Sequence, residues 1–142
     1  YFTFYLFGNL RGLKDKMAHY AKIVDGIVKR IIVAEQDFID TQEGKWVKTS
    51  YNMKQGIYYD VETNAPAADQ SVINGDEARE RKNYAVEGGV YDSERDIFLP
   101  EKNFSSWVID ETKWGWKAPV DKPDDGKNYI WNEETKSWDQ LD

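Results

Sequence analysis

The chain has 142 residues, with six Trp, nine Tyr and six Phe, no Cys, a single His and a formal net charge of −7. That length fits one domain or two very small ones, and an aromatic share of 15% lets a chain with only 40% hydrophobic residues fill a core. Without Cys there are no disulfides, thiolate metal sites or Cys nucleophiles; one His rules out two-His metal motifs; and the acidic balance disfavours nucleic acid or anionic lipid as partners.

Residues 1–16 place an apolar run, Tyr1 to Phe7, ahead of a basic stretch containing Arg11, Lys14 and Lys16. A secretory signal has the opposite polarity, and a bilayer span takes roughly 20 apolar residues, so neither pattern is present. Two readings stay open: a strand packed on the domain, or a leader that is not native, lying upstream of a start at Met17-Ala18. The expectation is the leader, forming an extended or weakly helical tail with few core contacts.

His19 to Glu35 reads as a β-hairpin. Asp25-Gly26 is a strong two-residue turn signal, because both positions tolerate positive φ, and the β-branched residues around it suit a half-buried sheet. His19 stands just before the first strand as an ordinary half-exposed side chain. Gln36 to Gly44 is a loop or a single helical turn. Lys45 to Asn52 alternates and predicts a short strand. "IYYDVET" suits another hairpin strand. Residues 17–63 therefore form an N-terminal β-hairpin sheet, and residues 64–82 a linker or long loop; "GDEARERKNY" looks weakly helical from Asp76 onward, but a solvated surface turn is the favoured reading.

Residues 83–142 form a repeated hairpin region. Three windows align without gaps: "YDSERDIF" (Tyr91 to Phe98), "IDETKWGW" (Ile109 to Trp116) and "WNEETKSW" (Trp131 to Trp138). Asp92, Asp110 and Asn132 can each close a turn by accepting bonds from backbone N–H groups two residues on. The flanking aromatics then leave and return on adjacent strands, where they can meet. Pro100, Pro119 and Pro123 interrupt pairing, and Asp125-Gly126 opens the strand "KNYIW". The fold class expected is mainly β: a small antiparallel sheet plus an aromatic-rich hairpin meander, with little helix.

The chemistry-bearing motifs are few. No P-loop, GxGxxG or GxSxG occurs. Adjacent acids such as Asp124-Asp125 and Glu133-Glu134 read as solvated turn residues. "DKPDDG" lacks the 12-residue spacing of an EF-hand loop. The expectation is a non-enzyme with no cofactor and no metal site. Trp107, Trp114, Trp116, Trp131 and Trp138 could form a stacking platform for sugar rings, whose C–H faces suit aromatic surfaces. The favoured reading is that they build the core of a region poor in aliphatic residues.

The stretches "MAHYAKIVDGIVKRIIVAEQDFID", "WVKTSYN", "RKNYAVEGGVYDSERDIFLP" and "SSWVIDETKWGWKAPVDKPDDGKNYIWNEETKSW" occur in this order. On these, residues 17–138 resemble a family of small, mostly uncharacterised proteins of tailed marine cyanobacterial phages and their metagenomic relatives. Residues 59–82 depart from that pattern. The resemblance implies a non-enzymatic structural protein of the virion or tail fibre, assembled in the host cytoplasm. Its partners would be other virion or tail proteins or further copies of itself. A glycan-binding adhesion module for the host surface and a tail-fibre assembly chaperone are the alternatives.

Overall fold

The structure is a computed structural model that describes residues 2–4 and 17–142. The chain is mainly β, with antiparallel hairpins and only short helices. Its principal sheet joins β2 (Met17–Val24), β3 (Ile27–Glu35), β4 (Lys45–Thr49), β7 (Val90–Asp92) and β8 (Ile97–Leu99) in the order β4-β2-β3-β7-β8. The β2–β3 hairpin turns at Asp25 and Gly26, with φ of 51° and 76°. Both central residues are left-handed, which matches the right-handed twist of the flanking strands.

β3 is the central strand, and its residues Ile31 to Glu35 are all buried. Such a run fits a strand covered on both faces. On one face Val28 and Ile31 pack with Ala21, Ile23, Val47, Ala85 and Phe98. On the other, Ile32 and Ala34 pack with Tyr20 and with Ile39 of α1 (Gln36–Ile39). Phe98 is fully buried, a contribution of about 2–3 kcal/mol for a side chain of that size.

The expectation for the leader needs correction where the structure describes it. Phe2–Phe4 is not a tail outside the sheet but β1, a strand paired parallel with β3 through Phe2↔Ile31, Thr3↔Ile32 and Phe4↔Val33. The physical reason lies in β3. β7 meets it only at Ile27↔Val90, so the edge beside Ile31 to Val33 has backbone groups that β7 does not reach. Tyr1 and residues 5–16 lie outside the described residues. His19 likewise sits within β2, opposite Val33 and Thr49, rather than ahead of the first strand.

β5 (Met53–Lys54) and β6 (Ile57–Tyr58) form a small hairpin through Gln55 and Gly56, with φ of 54° and 77°. Residues 64–82 hold a 3₁₀ turn (Ser71–Ile73) and α2 (Glu77–Glu80). The Asp76 carboxylate caps α2 by accepting from the Ala78 and Arg79 N–H groups, and Ala78 is buried. Arg79 also donates to the Val72 carbonyl, and Gln70 ties the loop to β6 by accepting from the Tyr58 N–H and donating to the Tyr58 carbonyl. β7–β8 joins the N-terminal sheet, which therefore runs across the boundary expected near residue 83. β9 (Val108–Asp110) with β10 (Gly115–Lys117), and β11 (Tyr129–Asn132) with β12 (Ser137–Gln140), form two further two-stranded sheets.

All three repeat windows are hairpin tips, and their turns are built alike. Asp92 accepts from Glu94 and Arg95, Asp110 from Thr112 and Lys113, and Asn132 from Glu134 and Thr135, all through backbone N–H groups at 2.8–3.1 Å. The sixth residue of each window is left-handed: Asp96, Trp114 and Lys136, with φ of 53–55°. A fourth copy stands at "YDVETNAP". Asp60 accepts from Glu62 and Thr63, Asn64 has φ 55°, and Tyr59 bridges Pro66.

Candidate functional site

The five candidate tryptophans separate into two groups. Trp107, Trp131 and Trp138 pack on one another, with ring centroids 5.2–6.4 Å apart, and Phe104 stacks on Trp107 at 5.0 Å. Trp131 and Trp138 are directly paired across β11–β12. This cluster is the local core of the last hairpin. Glu133 ties it together: it accepts from the Ser105 hydroxyl, the Ser106 N–H and hydroxyl, and the Trp131 indole N–H. Those donors hold the Glu133 carboxyl down at about 2, first through Ser106 and then Trp131. Trp138 donates its indole N–H to the Val120 carbonyl at 2.7 Å. A Trp whose edge and faces are both engaged is a structural member, and this reading fits Trp131 and Trp138.

Trp114 and Trp116 belong to the β9–β10 hairpin. Trp116 donates to the Pro100 carbonyl at 2.8 Å and carries the Lys102 ammonium 4.6 Å from its ring centre. Trp114 occupies the left-handed turn position, and its half-buried ring extends against Gly56 of the β5–β6 turn. A Cβ at Gly56 would come within 2.9 Å of that ring, so the close approach needs glycine there, as does the positive φ. The Lys82 ammonium lies 4.9 Å from the Trp114 ring centre. Asn83 fixes the hairpin from behind, donating to the carbonyls of both Trp114 and Phe98 at 2.8 Å, while its side-chain oxygen accepts from Gln55 N–H.

Trp114 thereby lines a cleft of about 440 Å³ with Tyr51, Met53, Lys54, Tyr84 and Pro100 among its walls. The walls are mostly apolar and aromatic, with polar groups at intervals, the composition expected of a small-molecule site. Tyr51 is 56% exposed. Behind it lies His19, whose ring centroid is 5.2 Å from that of Tyr51 and whose Nδ1 sits 3.1 Å from the Tyr84 hydroxyl. Burial pushes the His19 pKa down and the Tyr84 pKa up, so both are neutral at pH 7.

Of the five tryptophans, Trp114 thus lines an open cleft among the described residues. Tyr51 and Lys54 were not singled out from the sequence. Their residue types carry no signal of a site, and only the β5–β6 turn brings them opposite Trp114. Among the described residues no group of three or more His, Asp or Glu could hold a metal ion. No helix among them is long and apolar enough to cross a membrane. Comparison of the chain with protein-family models, curated proteins and solved structures found no match.

Proposed function

We propose that the chain is a non-enzymatic structural component of a tailed-phage particle, associated with the virion or tail fibre and acting through protein–protein contacts. One structural observation supports this reading beside the sequence resemblance. β9–β10 and β11–β12 are two-stranded sheets whose outer edges pair with no other strand among the described residues. Val108 and Ile130 on these strands, and Leu141 just beyond β12, are exposed apolar side chains. Open edges with apolar residues are the surfaces on which other strands or subunits add. Mass spectrometry of purified virions tests this, with the protein expected as a particle constituent. Its presence in infected cells but not in mature particles would overturn the reading in favour of a tail-fibre assembly chaperone.

The Trp114 cleft favours a second reading, in which the chain contacts a host-surface glycan. Trp114 and Tyr51 offer aromatic faces at an open cleft, and their rings suit sugar C–H surfaces. Trp114→Ala separates recognition from packing. Loss of glycan binding with an unchanged melting temperature supports the contact; unfolding assigns Trp114 to the core.

A further inference from the structure

The Trp114 cleft does not stand alone. A second cleft of about 260 Å³ adjoins it and is lined by Tyr51, Asn52, Lys54, Tyr59 and Asn64. The two clefts share Tyr51 and Lys54. Tyr51 is the ridge between them, and Lys54, exposed on β5, reaches both.

The chemistry of these walls is unlike that of the chain as a whole. The chain carries 26 acids against 19 bases. Yet neither cleft has an Asp or Glu in its lining, and Lys54 is the one charged residue in each. Lys54 forms no ion pair with a described residue. Lys82 adds a second ammonium over the Trp114 ring. Asp60 is adjacent to Tyr59 in sequence, but its carboxylate is taken up by the Glu62 and Thr63 N–H groups.

The polar groups of the smaller cleft are also unspent. The Tyr51 and Tyr59 hydroxyls and the Asn64 side-chain amide make no hydrogen bond to a described residue, whereas Asn52 donates to the Tyr59 carbonyl. The larger cleft thus offers rings, and the smaller offers hydrogen-bonding groups, with a cation where they meet.

Resting on the glycan reading of the Trp114 cleft, we infer that this surface takes an acidic oligosaccharide, with one sugar on Trp114, a neighbouring sugar between Tyr51 and Tyr59, and a carboxylate or sulfate on Lys54. A positive group in a carboxylate-free groove selects an anion, because the rest of this acidic surface repels one. The hydroxyl and amide groups then satisfy sugar hydroxyls that would otherwise lose water on binding.

The test is calorimetry on the full chain with two probes of equal length, hexagalacturonate and maltohexaose, supported by a set of sulfated galactan oligosaccharides. An acidic probe is expected to bind at least tenfold more tightly than the neutral one. Lys54→Gln should remove most of that preference, roughly a tenfold loss for a charge-assisted contact, and should flatten the dependence on salt. Lys54 is exposed on a short strand, so this variant is expected to fold. Equal affinity for neutral and acidic probes, or a preference that survives Lys54→Gln, overturns the inference. If the neutral probe binds as tightly as the acidic one and Trp114→Ala abolishes that binding, the glycan reading stands while the acidic one falls. If no probe binds at all, both fall.

Discussion

Glu133 shows how much one side chain can organise in a region with few aliphatic residues. It gathers donors from Ser105, Ser106 and Trp131, and so joins the loop before β9 to the first strand of the last hairpin. Its pKa falls from 4.5 in the unfolded chain to about 2 in the folded one. The unfolded chain therefore takes up the proton first on acidification. The stabilisation from Glu133 is complete above pH 4.5 and is lost as pH falls through about 2. Tryptophan fluorescence during acid titration should report loosening of the Trp107–Trp131–Trp138 cluster in that window, and Glu133→Gln should flatten the response. His19 acts in a separate, higher window. Burial lowers its pKa below 6.5, so protonation begins to oppose folding as pH drops through that value. The turn-closing roles of Asp92, Asp110 and Asn132 could be read from local spacing, since their partners lie two and three residues on. Glu133 could not, because its serine partners are 27 and 28 residues away and only tertiary packing brings them together.

The unit of construction at the next scale is the four-residue turn closed by Asp or Asn. In Asn132→Ala the Glu134 and Thr135 N–H groups lose their acceptor. The expected cost is about 1 kcal/mol, read by urea denaturation, because water replaces part of each bond at an exposed turn. Three copies of this unit were visible as ungapped windows. The fourth, at Tyr59 to Pro66, has the "YD" start of the first window and the same spacing, but the aromatic that ends the other windows is replaced by Pro66, so a pattern keyed to its ends passes over it. The Gln55-Gly56 turn was equally hard to see, because Gln has no strong preference for positive φ. Asp25-Gly26 was readable for the opposite reason. The leader strand β1 depended on an edge of β3 that no local pattern reveals.

Among the described residues, the principal sheet and the last hairpin pack around separate sets of side chains. The principal sheet is packed around Phe98 and β3, and the last hairpin around its three tryptophans. The two should respond differently to truncation. Phe98→Ala should cost about 3–5 kcal/mol and destabilise the whole sheet. Trp131→Ala should instead act locally, raising hydrogen exchange along Tyr129 to Gln140 and around Phe104 to Trp107 while β2 and β3 keep their protection. Hydrogen-exchange mass spectrometry of both variants checks this. Collapse of β2–β3 protection in Trp131→Ala would show that the two cores are coupled. That the region after residue 99 would pack its tryptophans was legible from composition. That one of them, Trp114, would instead face a cleft was not, because its place depends on the approach of Gly56 from another hairpin.

The left-handed residue of each turn has a consequence for how such a chain can change. Asn64, Asp96, Trp114 and Lys136 share a left-handed φ of 53–55°: two are Asn or Asp, the types that adopt it most readily, but Trp and Lys hold it as well. Asp96 pairs with Arg81 at 2.8 Å, and Trp114 faces the cleft. A residue with a Cβ in that region gives up about 1–2 kcal/mol relative to its preferred conformation, so the position tolerates a side chain without requiring a particular one. It therefore works as an interchangeable socket: the turn keeps its shape while the chemistry displayed at its tip is free to be rewritten, one hairpin at a time.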